Sequence, residues 1–137
     1  MRWLFDSNVV SELRRARAHP TVAAWAEAQN PFDTFLSAIT VFELELGAAR
    51  KERRDPKQGA ELRRWVERIA NEDFAGRVLP VTGEIARLAA GMHAPDPRPL
   101  ADAFIAATAL RHNLTVVTRN IKDFSGLGVR LLNPWEA

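Results

Sequence analysis

The sequence predicts an α/β protein built on a mainly parallel sheet, and two observations carry that prediction. Short apolar runs alternate along the chain with longer stretches of helical period. The runs are apolar at successive positions rather than at alternate ones, the pattern of strands covered on both faces.

Trp3-Leu4-Phe5 is the first strand and ends at Asp6; Val9, Val10 and Leu13 mark a helix behind it. Pro20 opens a second helix, with Val22, Ala23, Trp25 and Ala26 as its apolar face and Asn30-Pro31 as its stop. Phe35-Leu36-Ser37 is the second strand, after which Thr40 is expected to open a long helix carrying Phe42, Leu44, Leu46 and Ala49. Asp55-Pro56 breaks that helix, and Leu62, Trp65, Val66 and Ile69 recur at helical spacing in the next. Val78-Leu79-Pro80-Val81 gives the third strand and Thr82 to His93 a helix. The loop Ala94 to Pro99 is short, a connection and not a domain linker. A small-residue helix from Ala101 to His112 follows, with Asn113 as its C-terminal cap. Leu114 to Val117 is the fourth strand, and Arg130-Leu131-Leu132, after Gly126 and Gly128, is the fifth.

With 137 residues, 47% of them apolar and 26% charged, the chain has the composition of a soluble protein, and one domain over residues 1–137 is expected. Cysteine is absent, which excludes a disulfide-stapled secreted scaffold. No apolar run approaches the ~20 residues of a membrane span. Asp6 interrupts the first apolar run too early for a signal peptide. A cytoplasmic protein without membrane association is the expectation. Neither Gly-x-Gly-x-x-Gly nor Gly-x-x-x-x-Gly-Lys-Ser/Thr occurs, which removes the common nucleotide-binding readings.

The net charge is only +2, so the placement of charges matters more than their sum. Basic residues bunch at Arg14, Arg15 and Arg17, at Arg50, Lys51, Arg53 and Arg54, and at Arg63, Arg64 and Arg68. Such runs are solvated helix faces or phosphate-binding surfaces, and the sequence leaves both open. The acids behave differently. Ligands of an open α/β sheet gather beyond the carboxyl ends of its strands. Asp6, Ser7 and Asn8 follow the first strand; Thr40 and Glu43 follow the second; Thr118, Arg119, Asn120 and Asp123 follow the fourth. Asp102 opens the helix that leads into the fourth strand. Four carboxylates from distant parts of the chain are thereby delivered to one edge.

Each acid has an ordinary explanation. Asp6 and Asp102 suit the positive ends of helices, Thr40-Val41-Phe42-Glu43 fits a capping box, and Asn120 to Asp123 fits a one-turn helix with its own cap. Capping does not require all four at one sheet edge, however. Crowded carboxylates repel and raise one another's pKa unless a cation neutralises them. With oxygen donors only, the fitting ion is Mg²⁺ or Mn²⁺. His19, His93 and His112 are too widely spaced to form a zinc site. A carboxylate-held Mg²⁺ activates water against a phosphodiester, and the arginine-rich faces would hold a nucleic-acid backbone.

Phe5-Asp6-Ser7-Asn8-Val9-Val10-Ser11-Glu12-Leu13 resembles the opening motif of PIN-domain ribonucleases, especially the VapC/FitB-like toxins of toxin–antitoxin pairs. Ile39 to Leu44 with Gly47, Leu100 to Ala107, and Val117 to Phe124 match further motifs of that family in order, covering nearly the whole chain. The resemblance implies a single PIN-like domain, with a five-stranded mainly parallel sheet flanked by helices on both faces. It also implies Mg²⁺- or Mn²⁺-dependent endoribonuclease activity on an RNA substrate and a cognate antitoxin. Asp6, Glu43, Asp102 and Asp123 match the family's catalytic and metal-binding acids; Thr118 and Asn120 match its polar companions, and Ser7 stands where Thr is frequent. Asn8 is a further polar neighbour.

Three other readings compete. A dehalogenase-type phosphatase needs a second Asp two residues after the first, where Asn8 stands. A receiver-like signalling domain needs an acid at the end of Phe35-Leu36-Ser37, and none is there. A PIN relative without chemistry would be expected to lack one of the acids, and all are present. The expected assembly is a homodimer formed through Leu62, Trp65, Val66 and Ile69, extending to a larger toxin–antitoxin assembly. The antitoxin is expected to insert a basic residue, an Arg, toward Asp6, Glu43 and Asp102, with its flanking segment in an apolar groove beside the site.

Overall fold

The computed structural model describes residues 1–137. In chain order the elements are β1 (Trp3–Phe5), α1 (Ser7–Arg14), α2 (Pro20–Glu27), β2 (Thr34–Ser37), α3 (Ala38–Arg54), α4 (Pro56–Arg68), β3 (Val78–Leu79), α5 (Gly83–His93), α6 (Leu100–His112), β4 (Thr115–Val117), α7 (Ile121–Phe124) and β5 (Leu131–Leu132). The strands form one sheet in the order β3-β2-β1-β4-β5, with every neighbouring pair parallel. The five-stranded α/β architecture is the expected one.

Both faces of the sheet are covered. Trp3, Phe5 and Val117 join a core with Val9 and Val10 of α1, Leu44 and Ala48 of α3, and Val66 of α4. Leu4 and Val116, which point the other way, join Ile105, Ala106 and Ala109 of α6 and Phe124 of α7. Alternate side chains of one strand thus enter different cores, which is why these strands read as continuously apolar. On the first face Trp25 of α2 meets Trp3 edge-on at 5.1 Å between ring centroids.

Helix boundaries follow local chemistry. Pro20 and Pro56 stand at the first positions of α2 and α4, where a missing N–H costs nothing. Thr82 caps α5 by accepting from the Ile85 N–H at 3.2 Å. Asn113 closes α6 in the left-handed region, φ 55°, as expected of an Asn cap. Pro80 supplies no N–H and stands beyond the two-residue β3, where pairing stops short of Val81.

Two expectations are corrected. Thr40 does not open α3. The helix starts two residues earlier, directly from β2, because the Ser37 hydroxyl accepts from the Ile39 N–H at 3.0 Å. Thr40 is then inside the first turn, fully buried, and its Oγ1 has no partner. Phe42 is not on the buried face of α3: Thr40, Leu44 and Ala48 are, at a spacing of four, which turns Phe42 outward to 61% exposure. Of the apolar residues expected at the homodimer contact, Val66 of α4 and Ile69 just past its end are buried, while Leu62 and Trp65 are half-buried against the same cluster.

Candidate active site at the sheet switch point

From β1 the chain winds outward through β2 and β3, then returns to place β4 and β5 on the other side. The strand order reverses between β1 and β4, and the crevice beyond their carboxyl ends is where ligands of such sheets bind. Asp6 follows β1 and Thr118 follows β4, and they meet there.

Asp6 is almost fully buried and heavily hydrogen-bonded. Its Oδ1 accepts from the Ser7 N–H at 2.8 Å; its Oδ2 accepts from Thr118 Oγ1 at 2.8 Å and from Asn8 Nδ2 at 3.2 Å. Thr118 Oγ1 in turn accepts from the Asn120 N–H at 3.0 Å and from Asn8 Nδ2 at 3.3 Å. Asn8 Oδ1 accepts from the Arg119 N–H at 3.2 Å. The network links the ends of β1 and β4 and holds one carboxylate in a single orientation. Asp6 does cap α1, so its ordinary reading is correct as far as it goes.

The other acids have no such employment. Since α3 begins at Ala38, Glu43 is beyond the capping position, and its buried Oε1 has no partner. Asp102 lies in the first turn of α6, but no side chain caps that helix. Asp123 lies in the one-turn helix α7, where the Asn120 side chain makes no capping bond.

Electrostatics tie the four together. Burial raises the Asp6 pKa despite its donors, and the Asp123 charge adds to the rise. Burial and then the Asp6 charge raise Glu43. Asp102 is pushed up to about 7 by burial, then by Asp6, Asp123 and Glu43, against the pull of Arg98. Asp6 and Asp102 are thereby linked to each other and to both Glu43 and Asp123.

Arg98 is the site residue that sequence reading missed. Its side chain is only 15% exposed, donates from Nη1 to the Asp123 carbonyl at 3.0 Å, pairs through Nη2 with the exposed Asp96 at 3.6 Å, and has a buried Nε without a partner. The signal available was a cation four residues ahead of Asp102, in a loop otherwise read as a connection.

The donor set is all oxygen, which fits a hard cation such as Mg²⁺ and not zinc. As the side chains stand, no three of the acids are grouped so as to hold a metal ion between them. The unpartnered Glu43 Oε1 and the raised carboxyls are the features a cation would relieve.

Fold and site together define a parallel α/β protein with an acidic, oxygen-donor crevice at its switch point. The PIN domain family model matches residues 3–128. Toxin FitB of Neisseria gonorrhoeae is 37% identical over 96% of this chain and 97% of its own. The VapC ribonuclease Y4jK of Sinorhizobium fredii is 37% identical over 97% of each. The crystal structure of FitAcB from Neisseria gonorrhoeae superposes with a TM-score of 0.88 at 36% identity, covering 98% of this chain and 99% of that one. A toxin–antitoxin complex from Klebsiella pneumoniae gives a TM-score of 0.66 at 26% identity over 96% of each chain. The chain belongs to the PIN-domain family, among its VapC/FitB-like members. The phosphatase and receiver readings find no support. No helix is long and apolar enough to cross a membrane.

Proposed function

We propose that the chain is a Mg²⁺- or Mn²⁺-dependent endoribonuclease, acting in the cytoplasm as the toxin of a toxin–antitoxin pair, within a single domain spanning residues 1–137. The observation that carries this reading is the mutual charge coupling of Asp6, Glu43, Asp102 and Asp123 at the switch point, in a chain whose relatives are named toxin and ribonuclease.

When bound, the cation lowers the pKa of its water and neutralises charge developing on the phosphoryl oxygen. Asp6 and Asp102 would be its principal protein ligands, Asp6 because its orientation is locked by Ser7, Asn8 and Thr118. Glu43, with its unpartnered Oε1, orients the attacking water by accepting one of its hydrogens. Asp123, with Asn120, would help hold a second and weaker cation, which would supply further neutralisation of developing charge. Arg98 keeps Asp123 in place through its carbonyl.

An antitoxin that inserts an Arg toward Asp6, Glu43 and Asp102 would replace the cation's charge with a guanidinium. A groove of about 300 Å³ starts at Ser7 and Glu43 and runs along Leu44, Leu62 and Trp65, which suits the antitoxin's flanking apolar segment. The toxin is a homodimer in this proposal, within a larger toxin–antitoxin assembly. Leu62 and Trp65 of α4 remain half-buried, and Leu88 of α5 and Leu110 of α6 remain 39% and 43% exposed, which leaves apolar surface for a second copy to cover. A strictly monomeric mass by light scattering at micromolar concentration contradicts the dimer.

Inducible expression in a sensitive cell, with sequencing of RNA ends, tests the function. Wild type arrests growth and creates new RNA ends at defined sites, and Asp6→Asn does neither. Arrest by Asp6→Asn with the same new ends overturns the proposal.

A further inference from the structure

A second cleft, of about 470 Å³, lies between the turn after α1, Arg119 just past β4, and Trp135 near the C-terminus. Its lining includes Arg15, Arg17, His19, Arg119 and Trp135. The one acid among its walls, Glu12, is buried and already occupied: it accepts from the His19 N–H at 3.0 Å and pairs with Arg15 at 3.3 Å. That arrangement holds the turn after α1 in place and leaves the cleft with a surplus of positive charge. The Arg119 guanidinium sits 5.0 Å from the centroid of the Trp135 ring. A stacked cation and indole form a flat, amphipathic surface.

The position of Arg119 joins this cleft to the acidic crevice. It follows Thr118, whose hydroxyl holds Asp6, and its own N–H binds Asn8. One residue is about 3.8 Å of chain. Arg119 is thus common to the Asp6 network and the cleft, and a polyanion with its scissile phosphate at the carboxylates would pass the cleft with its neighbouring nucleotides. Single-stranded nucleic acid is held by arginines on its phosphates and by stacking of bases on aromatic or guanidinium planes.

We propose that this cleft is a binding subsite for single-stranded RNA flanking the cut: Arg17 engages a phosphate, and one base stacks on the Arg119–Trp135 unit. The proposal rests on the ribonuclease reading, and deepens it by naming where the substrate is held. It also gives Arg17 a role, where sequence alone left a solvated face and a phosphate surface undecided. His19 contributes to neither contact through Nδ1, which accepts from the Thr21 N–H.

The test uses the full chain and a fluorescein-labelled, mixed-sequence single-stranded RNA decamer, with binding read by anisotropy in EDTA so that no cleavage intervenes. The variants are Arg17→Gln and Arg119→Gln, both at exposed side chains, with Arg87→Gln on α5 as a charge-matched control outside the cleft. Arg119→Gln is expected to weaken binding about 5- to 150-fold, the value of one stacked base. Arg17→Gln is expected to reduce the slope of log affinity against log salt by about 0.7, one phosphate contact on a single strand. Arg87→Gln leaves both unchanged. Equal affinity across wild type and both cleft variants overturns the subsite. So does a loss of affinity for a polyglutamate peptide, but not for RNA, in the same variants, which would assign the cleft to an acidic protein partner. The ribonuclease reading stands apart from these results, because it depends on wild-type cleavage in Mn²⁺ and not on the ratio between variants.

Discussion

Replacing Asp102 by Asn in the metal-free protein sets a cation site against a helix-end acid. In the folded chain Asp102 is pushed up to about 7, against an ordinary value of 3.8. Between these values the unfolded chain gives up the proton and the folded chain keeps it, so stability falls as pH rises from about 4 to about 7. Above that window the cost is complete. At about 1.36 kcal/mol per pKa unit the full shift corresponds to about 4 kcal/mol. Asp102 is only half-buried, and solvent screening reduces this to about 1–2 kcal/mol. Asn keeps the shape and carries no charge, so it should recover that amount at pH 8 and nothing at pH 4. With an unfolding entropy of about 2.1 cal/mol/K per residue, the gain at pH 8 is a Tm increase of about 3–7 °C. Thermal melts of both proteins in EDTA at the two pH values check it. Helix-end stabilisation alone predicts the opposite sign, a loss of about 0.3–1 kcal/mol at pH 8. A less stable Asp102→Asn protein that still cleaves RNA would refute the reasoning.

Two further predictions follow from packing and capping. Ser37→Ala removes the real cap of α3 and should cost about 0.5–2 kcal/mol. Thr40→Val removes a buried hydroxyl that satisfies nothing and should be neutral or stabilising; urea titration of the pair decides, and the reverse ranking would restore Thr40 as the cap. At Gly59 an added Cβ would stand 2.2 Å from the Glu52 Cα where α4 crosses α3, so Gly59→Ala should destabilise by about 1–3 kcal/mol, and an unchanged melting curve would disprove that close approach.

The strands and their terminal acids were legible because a parallel sheet sends every carboxyl end to one edge. An acid immediately after an apolar run is therefore placed in space by its position in the chain alone. The start of α3 was not legible, because Ser37 and Thr40 are both good caps three residues apart. Only the run-on from β2, with the Ser37 hydroxyl already turned to Ile39, decides between them. Phe42 was misplaced because the helical period alone does not say which face is covered; burial of Thr40, Leu44 and Ala48 selects the face opposite Phe42. How far Leu62, Trp65, Val66 and Ile69 are buried was not legible, because Phe5 and Val10 in the same cluster are distant in sequence and nothing local predicts how much surface they cover. Arg98 escaped because loops reveal their neighbours only when folded.

The central claim is that these carboxylates gather to hold a divalent cation that cuts RNA. Its most direct test is cleavage of a structured RNA by the purified wild-type chain, titrated with Mn²⁺ from an EDTA-stripped start, beside Asp6→Asn under the same conditions. Loss of one preorganised electrostatic contact of ~3–4 kcal/mol corresponds to a rate lower by about 10²–10³. The account predicts no cleavage in EDTA, cleavage that rises and saturates with Mn²⁺, and a rate for Asp6→Asn reduced by at least that factor at every concentration. Cleavage that persists in EDTA, or an Asp6→Asn protein as active as wild type, would contradict it.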